Sequence, residues 1–177
     1  MIRRGLALLA AAACACAVLT GCSQRPTTAF IVDGVVVTER QIDEATASCS
    51  RSYTLATGLV ASSVADLRSE VVASKIQSLI GLDLAKRENL VFTAEERQEF
   101  VNSLANGPAL TQDLLCRELM LDVAVMMLTL NQMGTQAFIA EAGQLDIVAN
   151  PRYGPFDVQK MMFTGSGSLS SLDASHN

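Results

Sequence analysis

The stretch Ala29-Phe30-Ile31-Val32-Asp33-Gly34-Val35-Val36-Val37-Thr38-Glu39-Arg40-Gln41-Ile42-Asp43 carries the signals from which the fold is read. Two apolar runs rich in β-branched residues flank Asp33-Gly34. Both turn residues tolerate positive φ, so the pattern predicts a β-hairpin with strands at 29–32 and 35–37. Thr38 with Gln41 three residues on is a capping box, in which each side chain takes the other residue's N–H. A helix therefore starts directly after the second strand. Ile42, Ala45 and Cys49 then recur at helical spacing on one face, which turns Cys49 inward.

Working outward, residues 50–61 read as a mixed loop around Gly58. Ser62-Ser63 caps a long helix running to about Lys86. Its apolar stripe is Val64, Leu67, Val71, Val72, Ile76, Leu79 and Ile80; Arg68, Glu70, Lys75 and Lys86 fall largely off it. Asn89 ends this helix. Thr93-Ala94-Glu95-Glu96 is a second capping box and opens a short charged helix, which Asn106-Gly107-Pro108 breaks. A further helix is expected from about Leu110 to Met133. Cys116 sits in its amphipathic first half, and residues 123–128 are apolar all round. Gly134 interrupts, and 136–142 reads as one more helical piece. Leu145-Asp146-Ile147-Val148-Ala149 is short, partly alternating and β-rich, so it reads as a strand whose best partner is the N-terminal hairpin. Asn150-Pro151-Arg152-Tyr153-Gly154 stops it. The expected fold is mainly α with a small antiparallel β-sheet. It comprises an N-terminal hairpin, four to five helices, and a C-terminal strand returning to the hairpin. One domain covers 29–163, and the Gly/Ser-rich residues 164–177 are expected to be a disordered tail.

Composition excludes several functions. Half of the 177 residues are hydrophobic, 5% are aromatic and none is Trp. A net charge of -5 opposes nucleic-acid binding, and so apolar a chain is not a disordered one. A single His, His176 in the polar tail, leaves nothing for a His-built zinc site or a Ser-His-Asp triad. No catalytic residue, metal, cofactor, small-molecule substrate or nucleic-acid partner is expected.

Arg3 and Arg4 precede an unbroken apolar run at 6–19, the pattern of a secretory signal. The run is shorter than the roughly 20 residues that span a bilayer. Leu19-Thr20-Gly21-Cys22 resembles the lipobox of bacterial lipoproteins. That resemblance implies a diacylglycerol thioether on Cys22, cleavage before it, and anchorage on the extracytoplasmic face of the cell membrane. The alternatives are an ordinary cleaved signal with an incidental Cys, or an uncleaved anchor. On the lipoprotein reading, 1–21 is the signal peptide and 22–28 a polar tether. Cleavage removes two Arg and no acid, taking the balance from -5 to -7. Acyl chains, each methylene contributing about 0.8 kcal/mol, then do the anchoring. Cys14 and Cys16 leave with the signal. Cys49 and Cys116 remain as an even pair in an oxidising compartment, where a disulfide is the favoured reading. The alternative is two unrelated buried thiols. No CxxC occurs, so neither is expected to be catalytic or to bind metal.

Residues 29–43, with the order of elements after them, resemble the start of the SurA N-terminal domain, shared in outline with PrsA-type foldases and the trigger-factor peptide-binding fold. Asn150-Pro151-Arg152-Tyr153-Gly154 followed by Phe156-Asp157 is similar to the ending of actinobacterial lipoproteins described as SurA-N-terminal-like. The resemblance spans about 29–157. It implies an extracytoplasmic chaperone-like protein that holds unfolded or secreted clients. The chain departs from the full chaperones where they insert a parvulin domain. Residues 93–144 read as helices only and lack the His pair and aromatic-lined sheet of parvulins, so prolyl isomerase activity is not expected.

Two residue sets are candidates for binding. Met120, Met126, Met127, Met133, Met161 and Met162 are flexible and polarizable, a composition that suits varied apolar partners as well as core filling. The candidate peptide-binding residues on the apolar helix are Val125, Met126, Leu128 and Met133. Arg152 and Tyr153 join them as residue types frequent in interface hot spots, although their motif equally makes a structural turn. Glu95, Glu96 and Glu99 read as a solvated helix face. Two functions remain in view, the lipid-anchored chaperone-like protein that the resemblance implies and an accessory envelope lipoprotein with one dedicated partner; an enzyme is disfavoured by the lack of any nucleophile-base or metal constellation. A wide groove at Val125, Met126 and Leu128 favours the first, and a filled core there favours the second.

Overall fold

Asp33 (φ 45°) and Gly34 (φ 81°) both hold left-handed backbone. β1 (Thr28–Val32) therefore turns in two residues into β2 (Val35–Thr38), with Val32 opposite Val35 and Ile31 opposite Val36. The computed structural model describes residues 27–57 and 64–164. The signal peptide, Cys22, all but the last two residues of the tether, Gly58, the Ser62-Ser63 cap and residues 165–177 lie outside the described residues.

The first capping box forms: Thr38 N–H donates to Gln41 Oε1 at 2.8 Å, and Gln41 N–H to Thr38 Oγ1 at 3.3 Å. α1 (Glu39–Thr57) starts there. It continues through 50–57, which the sequence reading assigned to a loop. The reason is tertiary. Asp113, far along the chain, receives Ser48 Oγ–H and Arg51 Nε–H (2.7 Å), and its own N–H donates to Ser52 Oγ at 2.9 Å. Polar side chains that look like loop composition are thereby the contact face of a helix.

α2 (Val64–Arg87) buries Val71, Val72, Ile76, Ile80 and Leu84, with Leu67 and Leu79 partly buried. Asn89, at φ 55°, ends it as expected. The second capping box closes on Thr93 and Glu96 at the start of α3 (Ala94–Ser103). Asn106-Gly107-Pro108 does not simply break the chain. It begins a one-turn helix, α4 (Gly107–Leu110), so α5 (Leu114–Met133) starts four residues later than the sequence suggested. α6 (Thr135–Ala142) follows.

β3 (Ile147–Ala149) returns antiparallel to β1, placing Val148 opposite Ile31, and the sheet order is β2-β1-β3. The fold is thus mainly helical with a small antiparallel sheet that joins both ends of the domain. A 3-10 turn (Pro151–Tyr153) leads to a second, unanticipated hairpin of β4 (Phe156–Asp157) and β5 (Met162–Phe163).

One core gathers Phe30, Val32, Ile42, Ile76, Ile80 and Phe138 between sheet and helices. A second, smaller one surrounds Cys49 and Cys116 with Val71 and Leu119. The two sulfurs lie 2.09 Å apart, at bonding distance. α2 and α5 meet backbone to backbone: a Cβ on Gly81 would stand 2.3 Å from Cα of Met126. Only glycine permits that approach.

Candidate functional site

The closeness of α2 and α5 decides what the candidate residues do. Val125 and Met126 are each 6% exposed, and both belong to the core. At Val125, Met126 and Leu128 the α2–α5 seam is a filled core rather than a wide groove, since Gly81 lets α2 press onto Met126. Leu128 is half-buried, and Met133 packs partly buried against the main core.

Apolar concavities lie elsewhere, one on either side of the terminal hairpin: the first against α5 and α6, the second against α2. One, of about 310 Å³, is walled by Met126, Met127, Leu130, Phe138, Met161 and Gln77. The methionines thus divide between two roles: Met126 has one side in the core and the other in this cleft. A second, of about 280 Å³, lies among Val72, Ala73, Tyr153, Met162 and Phe163. Between them Gln77 Nε2 donates to Met161 C=O at 2.6 Å, holding the hairpin on the helix. Phe163 stacks edge-on against Phe156 (5.2 Å) and tilted against Tyr153 (5.7 Å). Asp157 Oδ1 accepts the N–H groups of Gln159 and Lys160, so the hairpin's turn is held from within.

Arg152 and Tyr153, paired in the sequence reading, separate. Tyr153 is 5% exposed and Arg152 is exposed. The Tyr153 hydroxyl donates to Glu39 Oε2 at 2.6 Å and accepts from Arg68 Nη1 at 2.6 Å. Arg68 also reaches Glu39 Oε2 (2.6 Å) and Asp43 Oδ1 (3.0 Å). Burial, aided by the bond to Glu39 and opposed by Arg68, pushes the phenol up to about 12. Burial alone would lower the Arg68 guanidinium; its bonds to Tyr153 and Glu39 outweigh that and raise it. Arg152 lies 3.5 Å from Glu39 Oε1 and 5.8 Å from the Tyr153 ring centroid.

This cluster is a clamp. The hydroxyl is held neutral between an acid and a cation and is not poised to take a proton. It ties the C-terminal turn to α1 and α2. Arg68, placed off the apolar stripe by the sequence, is the residue that reading missed. Its partners, Glu39 and Asp43 on α1 and Tyr153 in the C-terminal turn, lie 25 to 85 residues away, so no local pattern marks it.

Glu95, Glu96 and Glu99 are exposed, and Glu96 accepts the Thr93 N–H of the helix cap. Among the described residues no group of three or more His, Cys, Asp and Glu is placed to hold a metal ion. Among them, too, no helix is long and apolar enough to cross a membrane. No family model, curated protein or solved structure matches the chain.

Proposed function

We propose that this chain is a lipid-anchored, extracytoplasmic protein that binds polypeptide and does not isomerise prolyl bonds. The observation that carries the reading is the pair of apolar clefts flanking the terminal hairpin, one against α2 and the other, against α5 and α6, walled by Met126, Met127 and Met161. Methionine walls adapt to the shape of an inserted side chain, and each cleft has room for one or two such groups. The leader ending at Cys22 and the SurA-like order of elements support the setting.

The seam between α2 and α5 bears on the kind of partner. A protein that holds many unfolded clients needs a broad, repackable apolar surface. Here the broadest apolar faces are packed on each other, and what remains is small and shaped. That geometry favours one dedicated envelope partner over a range of clients.

Photo-crosslinkers at Met127 and Met162 in intact envelopes should trap one discrete protein, and one at Glu95 should trap none. A ladder of many products from Met127 and Met162, with suppression of aggregation of an unfolded model protein, would return the general chaperone reading. Equal trapping from all three positions defeats the binding assignment. Cys22→Ala should release the protein from the membrane fraction.

A further inference from the structure

Glu70 borders two clefts. On one side is the cleft of Val72, Ala73, Tyr153, Met162 and Phe163. On the other is a third cleft of about 300 Å³, floored by Cys49, Cys116, Val71 and Leu119. Asp66, one helical turn before Glu70, stands on the rim of this third cleft. Among the described residues no Lys, Arg or His lines either concavity. Arg68, Lys75, Asp83 and Arg87 of the same helix all have ion-pair partners. Glu70 is exposed, and among the described residues it has no hydrogen bond or ion pair.

A carboxylate unpaired among the described residues, between an apolar hollow and one with an apolar floor and a polar rim of Asp66, Ser74 and Asn106, has a specific complement. Lysine and arginine carry a long apolar stem and a cationic head, so they can lie along apolar walls while the head meets the acid. We propose that Glu70 receives a lysine or arginine of the bound polypeptide, with the apolar residues flanking that cation seated in the two clefts. This rests on the polypeptide-binding reading and adds to it the chemistry of the bound segment: apolar, basic, apolar. Burial in the clefts supplies the affinity. The charge fixes register and rejects acidic segments, the usual division of labour between the two forces.

The test uses the full chain and three labelled synthetic peptides, identical except for a central lysine, norleucine or glutamate. Fluorescence anisotropy should rank them lysine, norleucine, glutamate. The lysine advantage over norleucine should be about two- to fivefold at low salt, the size of a solvent-exposed ion pair, and should fade as salt is added. Glu70→Gln should erase the preference and leave norleucine binding unchanged, whereas Glu95→Gln should retain it. Equal binding of lysine and norleucine peptides overturns the assignment of Glu70 and leaves polypeptide binding standing. A lysine preference that survives in Glu70→Gln also overturns it. Binding of none of the three removes the polypeptide-binding reading itself.

Discussion

Tyr153 shows how little a turn motif says about what the turn touches. Pro151, Arg152 and Gly154 specify the bend, and Gly154 at φ 78° completes it. Whether Arg152 or Tyr153 faces inward depends on Glu39, which is 114 residues away from Tyr153. Tyr153→Phe keeps the ring against Phe163 and removes only the hydroxyl. It should lower stability by about 1–3 kcal/mol, because Glu39 and Arg68 each lose a part-buried partner. Chemical denaturation monitored by circular dichroism measures it. The same hydroxyl makes stability pH-dependent. Its pKa is 10.0 in a free side chain and about 12 in the fold. Below pH 10 both states hold the proton and the stabilisation is complete. Between those values the unfolded chain ionises first, so stability falls as pH rises. The alkaline loss should shrink in Tyr153→Phe.

At the scale of elements, the hairpin, both capping boxes and the late strand were legible, because each signal acts within a few residues. The end of α1 was not. Arg51 and Ser52 fall in a stretch of loop-like composition, and their partner arrives 61 to 65 residues later: the Asp113 carboxylate accepts from Ser48 and Arg51, and its N–H donates to Ser52 Oγ. The same pairing explains how α5 starts without a local cap: Cys116 N–H donates to Ser48 Oγ at 2.8 Å, so α1 caps α5 across the chain. The α2–α5 seam was equally hidden, since one glycine inside a helical pattern usually reads as a weakness. Gly81→Ala tests its role. The added methyl meets backbone, which cannot swing aside, so the helices must separate. Destabilisation of about 1–3 kcal/mol is expected, although alanine is the better helix former. A stabilised variant would show that the helices do not touch at Met126.

Over the whole molecule, two cores sit at different depths along the same helices. The one beneath the sheet depends on Phe30, Ile76 and Phe138; the other is centred on Cys49 and Cys116. A disulfide joining residues 67 apart should contribute roughly 4 kcal/mol through the unfolded chain. Cys49→Ala with Cys116→Ala should lower the melting temperature and weaken the attachment of α5 to α1 before the sheet opens. Amide exchange should therefore quicken first around Ser48 and Cys116. Mass spectrometry of the thiol-blocked, unreduced protein should find neither cysteine alkylated, and labelling of both would remove the bridge. Local chemistry in the chain is enough to place the hairpin turn, the two capping boxes and the helical stripes, because turn conformations, caps and periodicity are properties of neighbours. That Cys49 and Cys116 come to bonding distance is decided by the packing of α1 against α5. Folding in three dimensions selects the rest: Tyr153 inside and Arg152 outside, Val125 and Met126 in the core, the methionine cleft beside the hairpin, and Glu70 without a partner among the described residues. Each of these depends on which distant surfaces exclude water from one another, and burial of that kind has no signature in the spacing of residues along the chain.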